Sequence, residues 1–304
     1  MHVELSHIPM PPLDVPAAVP VITEAEYITR NRAMYQLSGA DWVLVYGDRE
    51  HNANLIFLTG FDPRFEEALL VIGPNDRRVL LVGNEGVVHA VEAGLPLEIV
   101  LCQPFSLMAQ PRGDSAPLAT LLSAIGVAPE QSVGIAGWKY FEDDEPEVPD
   151  AALPAYVPMW VVDAVEQITD AVSVDVTHVL MNPVNGLRVI VSSDEIARAE
   201  WGASRASAAV LRVVQNARPG QSELEAMVAM DYAGEPMSCH PILASSDGAL
   251  NGLRSPGARI MNDGDAVTCG IGYWGGLCCR AGLLQAEPDA GFTENTVIPY
   301  FRAI

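Results

Sequence analysis

The chain has 304 residues, 49% hydrophobic and 18% charged, a composition that excludes a disordered protein and leaves room for two separate cores. It carries 17 Lys and Arg against 39 Asp and Glu, a net charge of -22, and that field excludes nucleic acid and anionic membrane as partners. No uninterrupted apolar run is long enough to span a bilayer. The stretch Met1 to Pro12 lacks a basic n-region and is broken by prolines, so it does not read as a secretory signal. Five cysteines, at 102, 239, 269, 278 and 279, give an odd count with no C-x-x-C spacing. They predict free thiols and a reducing, cytoplasmic compartment.

Residues 1–21 are proline-rich and predict an extended surface segment. A helix is expected from Glu24, with Tyr27, Ala33, Met34 and Leu37 on its apolar face and Arg30 and Arg32 solvated. Trp42 to Tyr46 reads as a buried strand ending at Gly47-Asp48, and Leu55 to Gly60 as a further strand. Ala68 to Ile72 and Val79 to Val82 flank the turn residues Gly73 to Arg78, a hairpin pattern. More strands are expected at Leu97–Leu101 and Ser132–Ile135, and helices around Gly86–Ala93 and Pro117–Ile125. Alternating elements of this kind predict a mixed α/β domain with a largely buried sheet. The acidic run Phe141 to Asp150 reads as a solvated loop, since it lacks the spacing and glycine of a calcium loop. Val157 to Leu187 leads out of the domain, with turn signals at Asn182-Pro183 and Asn185-Gly186.

A second domain opens with Ser192-x-x-Glu195, a capping-box pattern. Ile196, Ala199, Ala203, Ala206, Val210, Val213 and Ala217 then step by three and four, with Arg198, Arg205 and Arg212 on the opposite stripe. That spacing predicts a helix lying on a sheet and ending at Arg218-Pro219-Gly220. A second helix starts at Ser222-x-x-Glu225 and is expected to run to about Gly234. Beyond the loop His240 to Asp247, residues Asp265 to Arg280 read as strand, glycine turn and strand, entered through Asn262-Asp263-Gly264.

Two stretches carry a resemblance. One is Tyr46 to Arg64, with Leu58-Thr-Gly-Phe61 inside it. The other runs from Asp194-Glu-Ile to Pro219-Gly220, followed by the glutamate-rich second helix and Gly264-Asp265. In order and spacing they resemble the creatinase, prolidase and aminopeptidase P family. The resemblance implies an α/β fold: a creatinase-type N-terminal α/β domain (22–187) followed by part of a pita-bread α+β domain (188–304). It implies hydrolysis of a C–N bond, in a peptide or an amidine, and a homodimer in which the N-terminal domain covers the partner's pocket. Family members often hold two divalent ions (Mn, Co or Zn) with two Asp, one His and two Glu, lowering the pKa of a bound water. Here the two aspartate positions fall at Gly270 and Leu277, so no metal or other cofactor is expected. The family's substrate-facing histidine falls at Leu253.

The remaining candidates are few. His240 with Asp247 is a candidate catalytic pair, and Arg254 is the candidate group for an anionic end of a substrate. Arg280 matches the family's arginine after the hairpin, where a carboxylate partner is expected, and His51 is a candidate for reaching a substrate across a dimer interface. Cys278 and Cys279 read as small buried hydrophobes rather than nucleophiles. The chain stops at Tyr300 to Ile304, early in a helix that begins near Thr293, so it reads as part of a longer protein. Two functions are expected from these observations. The first is a metal-free or impaired hydrolase of the Xaa-Pro aminopeptidase and creatinase type. The second is a non-catalytic homologue that binds a small molecule or short peptide or serves as a dimer partner.

Overall fold

The computed structural model describes residues 15–141, 145, 156–169, 173–286, 291 and 293–303. All of the acidic run 141–150 except Phe141 and Glu145, and most of the proline-rich segment, lie outside the described residues. Contacts divide the chain into two units: Ile22–Ser193, and Asp194–Ile304 joined by the described end of the N-terminal segment.

The first unit is built on six strands, β1 (Trp42–Gly47), β2 (Ala68–Gly73), β3 (Arg77–Val82), β4 (Glu98–Leu101), β5 (Val133–Ala136) and β6 (Val174–Asp175), in the order β4-β3-β2-β1-β5-β6. All six residues of β1 and all six of β2 are buried, because both faces of the sheet are covered. Trp42, Leu44 and Val71 pack with Leu122 of α4 (Leu118–Ile125) and Val161 of α5 (Met159–Glu166) on one face. Val43, Val45 and Leu70 pack on the other face with Met34 of α1 (Glu24–Ser38) and Leu55 and Leu58 of α2 (Ala53–Thr59). The β2–β3 turn places Asn75 at φ 56° and Asp76 at φ 60°, closed by Arg77 N donating to Pro74 O at 3.2 Å. These are residue types that accept left-handed backbone in such a turn.

Three expectations for this unit are corrected. Leu55 to Gly60 is the helix α2, not a strand: Leu55, Leu58 and Thr59 are buried at helical spacing, and Gly60, at φ 71°, caps it by donating to Ile56 O. Arg30 is buried rather than solvated, with its guanidinium 4.2 Å from the centre of the Phe57 ring and its Nε bonded to Glu26 at 2.9 Å. The stretch after Val157 does not merely lead out. It supplies α5, the edge strand β6 parallel to β5, and α6 (Thr177–Met181), whose Val179 and Leu180 enter the core.

In the second unit the long helix α7 (Ser193–Asn216) lies on an antiparallel sheet of β7 (Ile242–Ser245), β8 (Ala266–Tyr273) and β9 (Gly276–Leu283), ordered β7-β8-β9. Ala206, Val210 and Val213 of the helix meet Leu243, Ile271 and Tyr273 of the sheet. The N-terminal part of the predicted stripe is not buried; Ile196, Ala199 and Ala203 are exposed. Burial there shifts to Trp201 and Gly202, and the Trp201 indole donates to Pro16 O at 2.7 Å.

The arginines of the opposite stripe are held by partners rather than left to solvent. Arg198 lies 5.0 Å from the Trp274 ring centre, and Arg205 lies 5.4 Å from that of Tyr273 while paired with Glu235 at 2.5 Å. Arg212 donates to Met230 O at 2.7 Å. Helix α8 (Glu223–Met227) has the predicted capping box, with Ser222 and Glu225 satisfying each other's backbone N–H. It ends well before Gly234, because Val228–Met230 tightens to a 3-10 turn and Asp231 turns left-handed at φ 57°.

Helix and hairpin touch through glycines. A Cβ on Gly202 would stand 2.4 Å from Tyr273 O, and one on Gly276 would stand 2.4 Å from Ala203 N. Backbone cannot yield as a side chain does, so Gly202→Ala and Gly276→Ala should each cost about 1–3 kcal/mol in urea unfolding. Gly282→Ala, with nothing within 4 Å of its Cβ position, is the neutral control.

Candidate active site

Register assigns the two faces of the β8–β9 hairpin. Gly270 pairs with Ile242 on one side and Cys279 on the other, and Gly272 pairs with Leu277. Cys269, Ile271, Tyr273 and Cys278 point into the core under α7. Gly270, Gly272, Leu277 and Cys279 therefore share the opposite face. A Cβ on Gly270 would meet Cys279 Sγ at 3.2 Å, and one on Gly272 would meet Leu277 Cδ1 at 3.4 Å. Leu277 is 56% exposed.

A pair of divalent ions does not fit the residues of this hairpin. Gly270 offers only bare backbone and Leu277 an aliphatic side chain, and the space beside Gly270 is taken by a thiol. Among the described residues no three His, Cys, Asp or Glu side chains stand together as a metal-ligating group.

The other candidates are dispersed. His240 and Asp247 flank the two ends of β7, both exposed, and among the described residues no hydrogen bond or ion pair joins them. Arg254 is exposed and its Nη1 lies 3.0 Å from where a Cβ on Gly248 would stand, so it covers the 3-10 turn Ser246–Leu250. Its carbonyl accepts from Leu243 N at 3.2 Å, which ties the Arg254 loop to β7. Leu253 beside it is 82% exposed. Arg280 is exposed and donates to Cys279 O at 2.7 Å; the carboxylate partner expected for it does not occur among the described residues. Of the adjacent cysteines, Cys278 is buried as expected but Cys279 is exposed, since neighbours on a strand face opposite sides.

Sequence reasoning missed Glu223, whose carboxylate is 1% exposed. It accepts from Ser245 N at 2.9 Å, Ser245 Oγ at 2.6 Å and Gly257 N at 2.9 Å, so it pins the end of β7 and the Arg254 loop together. The signal available was the glutamate-rich start of α8; the capping box drew attention to Glu225 instead.

His51, in the first unit, stacks on Trp138 with ring centres 3.9 Å apart, and its Nδ1 lies 3.0 Å from both Asp48 oxygens. Burial raises the Asp48 pKa, but hydrogen bonds from the His51 ring and the backbone of His51 and Glu50 outweigh it, leaving the carboxylate below its ordinary range. Tyr46 Oη lies 3.4 Å from Asp48 and donates to Glu67 Oε2 at 2.8 Å. Nothing in the sequence singled out Glu67. Burial raises its pKa, as does the neighbouring Asp48, against the lowering effect of Tyr46 and Arg112. Burial also raises the Tyr46 phenol, and Glu67 adds to that.

No protein-family model and no curated protein matches the sequence. Solved structures do match. A Xaa-Pro dipeptidase from Bacillus anthracis shares 18% identity over 90% of this chain and 68% of its own, with a TM-score of 0.59. An X-Pro aminopeptidase from Thermotoga maritima shares 15% over 88% and 67%, at 0.62. A prolidase from Thermococcus sibiricus shares 19% over 90% and 69%, at 0.61. The fold is therefore that of these enzymes: an α/β N-terminal unit followed by part of a pita-bread unit.

The raised Glu67 gives a pH prediction. The folded state holds that proton more tightly than the unfolded chain, so this carboxyl destabilises the fold as pH rises from the ordinary glutamate pKa through the raised one. Glu67→Gln keeps an acceptor for Tyr46 and should unfold at higher urea than the parent at neutral pH. The difference should vanish below the ordinary glutamate pKa.

Proposed function

We propose that this chain is a hydrolase homologue of the creatinase, prolidase and aminopeptidase P family that acts on a peptide or amidine C–N bond without a metal pair at its β8–β9 hairpin. The fold shared with Xaa-Pro peptidases supports the reaction class. The observation that carries the metal-free reading is the presence of Gly270 and Leu277, without ligating side chains, on the open face of that hairpin. In this reading the chain's own residues bind and orient. Arg254 holds an anionic end of a small substrate or short peptide through its planar fork, with Arg280 as a second, weaker cation. His240 and Asp247 are the weak candidates for moving a proton, and they need the substrate between them to act together. Leu253, in the place of the family's histidine, makes turnover slow. The protein works as a cytoplasmic homodimer, with no nucleic acid or membrane partner. Its five free thiols and net charge of -22 support that setting.

A second reading, a homologue that binds such ligands without turning them over, is favoured by the separation of His240 from Asp247 and the exposure of Leu253. One assay separates the two. A Xaa-Pro dipeptide and creatine are each incubated with the purified protein, with and without a chelator. The first reading expects slow, chelator-insensitive turnover that Arg254→Ala lowers roughly tenfold or more, the loss typical of one charged hydrogen bond. Saturable binding by calorimetry without turnover selects the second. Turnover that the chelator abolishes and Mn(II) restores overturns the metal-free proposal.

A further inference from the structure

The first unit holds a groove of about 480 Å³ between one face of α1 and the β2–β3 hairpin. Asn31, Arg32 and Tyr35 line it from the helix, and Ile72, Asp76 and Arg78 line it from the strands and their turn. Register explains why they meet. Leu80 and Val82 of β3 pack on the α1 side of the sheet and Val79 and Leu81 on the other, so alternation puts Arg78 on the α1 side. Its partner across the ladder is Ile72, which shares a core cluster with Met34 and Tyr35 of α1. Arg32 joins helix to turn, with Nε donating to the two Asp76 oxygens at 2.9 and 3.0 Å and Nη2 adding a further bond. Those hydrogen bonds hold Asp76 below the ordinary carboxylate range, so its charge is committed to Arg32.

Two polar groups of this groove go unanswered. The Arg78 side chain is only 13% exposed, yet among the described residues its guanidinium makes no hydrogen bond. It stands 3.7 Å from Asp76 Oδ1, with Nε buried and without a partner. Asn31 is 1% exposed, and its Nδ2 donates to Tyr27 O at 2.8 Å and to Leu58 O at 2.7 Å. Both partners are carbonyls, so the amide cannot be turned over, and Oδ1 is left as a buried acceptor with no donor. An unpaired donor and an unpaired acceptor shut from water cost free energy that a ligand supplying both partners would recover. The charged residues lining the groove are Arg32, Arg78 and Asp76, so it carries one net positive charge in a chain whose net charge is -22.

We propose that this groove binds a small oxyanion that carries its own O–H or N–H group, as hydrogen phosphate and hydroxy acids do. The anionic oxygens pair with the Arg78 guanidinium, which no hydrogen bond anchors and which is free to turn toward them. The ligand's donor bonds Asn31 Oδ1, an acceptor that disfavours an oxyanion with no proton to give. Arg32 and Asp76, locked to each other, form the exposed rim. The groove shares no residue with the β8–β9 hairpin, so it does not depend on the hydrolase reading.

Calorimetric titration of the full chain near neutral pH tests this with two matched pairs of probes, inorganic phosphate against sulfate and lactate against propionate. In each pair the first anion has a hydroxyl to donate and the second has none. The expected result is one site per chain, with the donor-bearing member of at least one pair bound roughly tenfold more tightly, the worth of one hydrogen bond. Preference within the phosphate pair assigns the site to phosphates, and preference within the lactate pair assigns it to hydroxy acids. Arg78→Gln keeps most of the side-chain stem and should weaken binding roughly tenfold or more. Arg77→Gln removes the same charge from the next residue, which donates to Glu98 at 2.9 Å, and should leave binding unchanged. Urea unfolding checks that both variants fold, and the comparison of anions on the parent chain needs neither. Failure of the folded parent to bind any of the four anions, equal affinity within both pairs, or undiminished binding by folded Arg78→Gln overturns the proposal.

Discussion

The second unit depends on one steric constraint, the approach of the α7 backbone to the β8–β9 turn. Gly202 and Gly276 lie so close to the facing backbone that neither site has space for even a methyl group. With the helix seated this low, its arginines reach the hairpin's aromatic rings: Arg198 lies over Trp274 and Arg205 over Tyr273, with Glu235 holding the second guanidinium in place. A cation over a ring is worth most where water is partly excluded, which is the situation of Arg205. The small alanines farther along the helix then fit against Ile271 and Leu243. Contact geometry, rather than helix propensity, fixes which face of the hairpin is buried.

That choice of face determines the chemistry. Cys269, Ile271, Tyr273 and Cys278 on the α7 side of the sheet become core, the two cysteines among them behaving as small hydrophobes. On the other side, Leu277 and Cys279 are exposed. Glu223 locks the far end of the same sheet, with its carboxylate satisfied by three donors from β7 and the Arg254 loop. A buried charge left without such partners would be strongly destabilising. The open face is therefore framed at one end by a glycine contact and at the other by a carboxylate clasp, with Arg254 exposed at its edge.

Much of this was legible in the sequence, and the misses have physical causes. The strands β1, β2 and β3 read correctly because burial on both faces leaves unbroken apolar runs bounded by turn residues. Leu55 to Gly60 misled because an apolar run that short shows no period, and its helix is defined by a glycine cap. Arg30 looked solvated because its ring partner, Phe57, lies 27 residues away and no local pattern signals the pair. The ring partners of Arg198 and Arg205 in α7 were hidden for the same reason. At the site, the hairpin and the presence of a glycine at 270 and a leucine at 277 were readable from the sequence. The sidedness of Cys278 and Cys279 and the role of Glu223 were not, because each depends on pairing between segments distant in sequence.

The tight turn that joins β8 to β9 has a consequence of its own. Trp274 sits at φ 49° and Gly275 at φ 81°, the pair of left-handed residues that a two-residue hairpin loop requires. With so short a loop the strands have a single permitted alignment, and side chains alternate strictly from there on. Adding or deleting one residue at that bend would turn β9 over: Cys278 would surface, Cys279 would sink beneath the helix, and the outer surface would trade one sulfur for the other. The length of this bend is thus a chemical variable as much as a conformational one, and homologues whose bends differ by a single residue should show opposite sulfur reactivity.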